Sequence, residues 1–118
     1  MPQTAVPTDP FDFEELTDVR QRFQRWVLMF PSLRDAEGAY PFESLRFAQW
    51  AGRQEFGSGQ LYAAQFVLAV WNGNGNAHAW FNQPPYELGQ FDVIFAMAHW
   101  DAAHCRAFRH WIDDPFWP

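Results

Sequence analysis

Gly59-Gln60-Leu61-Tyr62-Ala63-Ala64-Gln65-Phe66-Val67-Leu68-Ala69-Val70-Trp71-Asn72 carries no charged side chain, and its apolar residues point in nearly every direction around a helical wheel. A helix with no wet face belongs in the middle of a bundle. Gly57-Ser58-Gly59 breaks the chain just before it, and Ser58 is well suited to cap its first turn. A β-hairpin competes for the same residues. Phe66 to Trp71 and Ala77 to Phe81 flank Asn72-Gly73-Asn74-Gly75, and Asn-Gly is a strong turn signal. The alanines upstream and the Ser58 cap favour the helix. The second run contains His78 and ends at Asn82-Gln83-Pro84-Pro85, which is poor strand material. The predicted fold is therefore all-α: a compact bundle of four to five short helices around the central apolar helix. An α+β fold with a small hairpin at about 66–81 is the alternative.

The surroundings of this segment extend the same reading. From Gln54 to Cys105 there is no Lys or Arg, and the only acids are Glu55, Glu87, Asp92 and Asp101. Such a stretch, rich in Phe, Trp, Leu, Val and Ala, reads as protein interior. Upstream, Phe13, Leu16, Val19, Phe23, Trp26, Val27 and Phe30 recur at helical spacing and predict an amphipathic helix that Pro31 stops. Asp12 and Glu15 resemble a capping box at its start, and Asp18 is placed to pair with Arg22. A second helix is expected over about 42–54, with Pro41 in its first turn and Leu45, Ala48 and Ala51 inward. Downstream, 91–100 predicts a helix with Phe91, Ile94, Phe95 and Ala98 facing the core. Asp101 is placed to cap another over 102–112, striped by Cys105, Phe108 and Ile112 with Trp111 beside it. One long helix over 91–112 is the alternative.

A chain of 118 residues makes one domain, expected over 11–118, after a loose arm at 1–10 that holds three prolines. Nothing at the start resembles a signal peptide, and no run of about twenty apolar residues is available to span a membrane. A single cysteine, Cys105, excludes an intrachain disulfide and fits a reducing, cytoplasmic setting. The net charge is −6 and all eight cations are Arg, which argues against binding nucleic acid through its phosphates. The absence of Lys also fits GC-rich coding and a bacterial source.

Chemistry is thinly represented. His78, His99, His104 and His110 lack a zincin spacing, although Asp101 and His104 at i,i+3 are close enough to share an ion. No metal and no cofactor is expected, and the histidines read as surface or cap residues. His104, next to Cys105 in sequence, points about 100° away from it on a helix, so Cys105 reads as an inert core thiol. Asp92 and Glu87 are the only acids near the apolar loop at 73–90. What remains is aromatic. Seven Trp and thirteen Phe are many for a small domain to hide. Trp80, Phe81, Tyr86, Phe116 and Trp117 lie outside the best helices and near polar residues, where interface anchors are found. The expected function is non-enzymatic: a small interaction or self-association module that binds another protein, or a second copy as a homodimer, through an aromatic patch. The runner-up is a binder of a small apolar or cationic ligand, in a pocket walled by helices 59–72 and 91–100. A weaker third reading is an enzyme using Asp92 or a histidine.

Overall fold

Leu61, Ala63, Ala64, Phe66, Val67, Leu68 and Val70 are all buried on one helix, Gly59–Asn72, and the other described elements pack around it. The computed structural model describes residues 13–55, 58–72 and 91–118. Among these residues it forms five α-helices: α1 (Phe13–Val27), α2 (Ser44–Gly52), α3 (Gly59–Asn72), α4 (Val93–His99) and α5 (Ala102–Asp113). A short 3-10 turn, Pro31–Leu33, follows α1. The extended pairing among these residues is one isolated bridge, Ala39 to Phe42. The expected all-α bundle is what the chain builds. Phe66 to Trp71 lie within α3, so the first arm of the alternative hairpin is helix. The loose arm at 1–10, the Asp12 cap and the 73–90 loop lie outside the described residues.

Ser58 caps α3 as expected: its Oγ accepts the Leu61 N–H at 3.2 Å. Val67 and Leu68 are fully buried, and each such side chain contributes about 1.5–3 kcal/mol of transfer free energy. Phe66 is the common neighbour of four rings from three other parts of the chain. Trp26 of α1, Phe91 ahead of α4, and Phe108 and Trp111 of α5 lie 4.9–5.7 Å from it, centroid to centroid. Aromatic pairs at this spacing add about 0.5–1.5 kcal/mol each beyond their buried area.

Indole N–H groups tie the helices together. Trp26 Nε1 donates to Ala107 O at 2.8 Å, joining α1 to α5. Trp100 Nε1 donates to Gly59 O at 2.9 Å, joining the end of α4 to the start of α3. Trp111 Nε1 donates to Phe116 O at 2.7 Å and folds the C-terminal tail back onto α5. A buried ring that also satisfies its polar edge fixes position as well as volume.

Three sequence expectations are corrected. Pro41 does not open the second helix. It follows a cis Tyr40–Pro41 bond in a turn, and α2 begins at Ser44. The N–H groups of Phe42 and Glu43 are taken by Gln24 Oε1 and Gly38 O, so those residues end the turn. With that later start, Phe47 joins Ala48 and Ala51 in the core, and Leu45 is 44% exposed. The i,i+4 spacing predicts a pair between Asp18 and Arg22. The Arg22 guanidinium instead spans 92 residues of chain to Asp114, 3.0 Å from both its backbone O and its Oδ2. The third correction concerns α4. The chain breaks at Trp100 into the two helices expected over 91–100 and 102–112, but the first has its apolar side outward.

Candidate functional site: an outward-facing apolar helix and a buried histidine relay

Asp92 sets where α4 begins. Its Oδ1 accepts the N–H groups of Ile94 and Phe95 at 2.9 and 3.2 Å, starting the helix at Val93. Trp100, just past its end, is buried and held by Gly59. Between these fixed points only Ala96 is buried, and it allows close approach to α3. The large side chains are left outside. Ile94 is 74% exposed and Phe95 56%, with Val93 and Met97 at 42% and 39%. Of the residues predicted to face inward, Ile94, Phe95 and Ala98 face water, and only Phe91 packs on the core. The interior reading of 54–105 therefore holds for α3 and fails for α4. Met97 Sδ lies 4.0 Å from Cys105 Sγ, so one edge of the exposed face of α4 abuts α5. Cys105 is half-buried against the core, and Ile112, the far end of its predicted stripe, is 46% exposed.

Of the predicted binding residues, Trp80, Phe81 and Tyr86 lie outside the described residues. The other two part company. Phe116 is buried among the core rings, 5.8 Å from Trp26, and is not a surface anchor. The Arg22 guanidinium carbon sits 4.0 Å over its ring. An aromatic face beside an acid, the arrangement expected to hold a cationic ligand, is here filled by the chain's own arginine between Phe116 and Asp114. Trp117 is 54% exposed and touches Trp111 edge-on at 5.5 Å.

The second feature is a buried side-chain cluster around His104. His104, read as a surface or cap residue, is buried in α5. Asp101 caps that helix by accepting the His104 backbone N–H at 2.9 Å, and the same Oδ1 lies 2.8 Å from His104 Nδ1. These two bonds, backbone first, hold the Asp101 carboxyl below its ordinary range. On the other side of the ring, Nε2 lies 2.7 Å from Ser32 Oγ and 3.4 Å from the Ser32 backbone N. Carboxylate, imidazole and hydroxyl thus form a chain of two short contacts. Asp101 can only accept, so Nδ1 carries the proton; the Ser32 N–H can only donate, so Nε2 presents its lone pair. Trp100 stacks along the imidazole at 6.2 Å and 24°, and Phe30 lies 6.0 Å from it. Asp101 and His104 were visible as an i,i+3 pair; Ser32 lies 72 residues away in the chain and carries no local signal.

Asp92, the acid proposed for an enzymatic reading, is occupied as the α4 cap, and His99 Nδ1 lies 2.7 Å from Phe95 O. Among the described residues no three His, Cys, Asp or Glu side chains gather as an ion site, and no helix is long and apolar enough to cross a membrane. No protein-family model, no curated protein and no solved structure matches this chain.

Proposed function

We propose that this chain is a self-association module, and that the outer face of α4 is the surface on which a second copy docks. The carrying observation is the exposure of Ile94 and Phe95, at 74% and 56%, on a helix whose inward residue is an alanine. A short helix gains nothing by presenting its largest apolar side chains to water, and contiguous exposed apolar surface marks an interaction site. Sealing each of these two side chains against a partner contributes about 1.5–3 kcal/mol. From Val93 to Ala98 the helix has no charged residue, while the chain as a whole carries a net charge of −6. A copy of the same surface therefore brings no like charge opposite itself within the patch, and the acids at its edge, Asp92 and Asp101, set orientation. Two-fold pairing of identical patches is the commonest assembly of soluble chains. Trp117 is a second exposed aromatic available to a partner protein. A reducing, cytoplasmic setting suits a chain whose one thiol is half-buried and unpaired.

Sedimentation velocity of the full chain, from low to tens of micromolar, tests the proposal. A concentration-dependent shift from monomer to dimer is expected. A strict monomer over that range contradicts it.

A further inference from the structure

We infer that Ser32 is a nucleophile, activated by His104 as general base with Asp101 as positioning residue, and that it accepts an acyl group from an ester. The Asp101–His104–Ser32 distances, 2.8 and 2.7 Å, are those at which a carboxylate fixes an imidazole and the imidazole takes a hydroxyl proton. Two parts of the chain supply the three groups, since Asp101 and His104 are three residues apart and Ser32 is 72 residues from His104. Ser32 lies in the turn after α1, Asp101 between α4 and α5, and His104 one turn into α5. His104 is 8% exposed, so the lone pair on Nε2 is sheltered from water, whereas Ser32 is only partly buried and within reach of a substrate.

The reaction balances within these groups. Ser32 Oγ forms a bond to the ester carbonyl carbon as its proton passes to His104 Nε2. The C–O bond to the leaving alcohol then breaks, and Nε2 returns the proton to that oxygen. Water repeats the sequence on the acyl-serine and releases the acid. The backbone supplies one further element. The N–H groups of Leu33 and Arg34 are spent on Phe30 O and Pro31 O, but the Ser32 N–H rests on Nε2 at 3.4 Å. Once Nε2 is protonated, that N–H loses its acceptor and becomes available to the oxyanion formed on its own residue. A single such donor suits activated esters better than amides.

The test is covalent labelling of the full chain with a fluorophosphonate probe, with p-nitrophenyl acetate as the turnover substrate and intact-mass and peptide-mass readouts. Attack on the fluorophosphonate forms the Oγ–P bond and expels fluoride. The expected result is a single adduct on Ser32, absent in Ser32→Ala. It should be slowed at least tenfold in Asp101→Asn, which keeps a capping oxygen but not the carboxylate. Circular dichroism establishes that both variants fold. A His104→Gln chain that folds should label no faster than Ser32→Ala. Three results would overturn the inference: no adduct at Ser32, equal labelling of the urea-unfolded chain, or labelling unaffected by Asp101→Asn.

Discussion

Trp26 Nε1 donates to the carbonyl of Ala107 across 81 residues of chain, and both residues are buried. This bond joins the first long helix to the last and places Trp26 against Phe66 of α3 on the way. Trp26→Phe removes the donor and part of the ring. The expected loss is about 1–3 kcal/mol, from the missing bond together with imperfect refilling of the space. Urea unfolding followed by circular dichroism reads it directly. A change too small to resolve would mean that the indole N–H contributes nothing to holding α1 on α5.

Phe116 and Trp117 are adjacent in the tail yet have opposite environments. Phe116→Ala empties a core position and should cost about 3–5 kcal/mol. Trp117→Ala removes a half-exposed ring with one edge-on neighbour and should cost about 0.5–1.5 kcal/mol. Thermal unfolding of the two variants side by side gives the ranking; equal losses would contradict the placement of the tail.

Gly38 has φ +78°, and a Cβ there would lie 2.5 Å from the Phe47 backbone nitrogen. Gly38→Ala therefore meets both backbone strain and a contact with main chain that cannot move aside. It should destabilise by more than about 1 kcal/mol, unlike an alanine placed at a permissive glycine, which stabilises slightly. Denaturant midpoints compare the two.

Asp101 gives the stability a specific acid dependence. Its carboxyl is held below the ordinary value of 3.8 by the His104 backbone N–H and then by the His104 ring. A lowered folded-state value contributes stability that is present above the unfolded carboxylate range. That stability is lost as the pH falls through the folded-state value. Melting temperature should thus fall between about pH 4 and lower pH, and Asp101→Asn should flatten that fall while lowering stability near neutrality. A variant whose acid limb superimposes on the parent's would remove Asp101 from the account.

Where the sequence was legible, the reason was local. The length of α3, its Ser58 cap and its burial all follow from a charge-free helical run behind a capping serine. The break before α5 was readable because Asp101 is a capping residue at the right offset. The apolar residues of α4 predict an inward face, because an apolar side chain on a helix ordinarily turns to the core. The orientation of α4 is decided instead by Trp100, whose N–H must find Gly59 O, and that partner lies 41 residues away. Phe116 failed in the opposite direction. A ring between Pro115 and Trp117 at the chain's end reads as surplus, and it is buried because Arg22 and Trp111 reach back for the tail. The histidine relay brings a serine in the turn after α1 to a histidine in the first turn of α5. Its partners stand 72 residues apart, so no local pattern records that meeting.

Ile94→Asp places a charge in the middle of the outer face of α4 without touching the core. Folding stability should move by no more than about 0.5 kcal/mol, as for ordinary surface changes. Self-association should be abolished, because each copy would bring a carboxylate against the other. Loss of the fold in this variant would show that Ile94 is core.

The most direct test of α4 as the docking face is an NMR dilution series on the isotope-labelled chain. If a second copy seats there, the amide resonances of Val93 to Ala98 shift with concentration more than any others, and those of α2 stay fixed. Shifts that spare Val93 to Ala98 while other resonances move, or no concentration dependence at all, would contradict it.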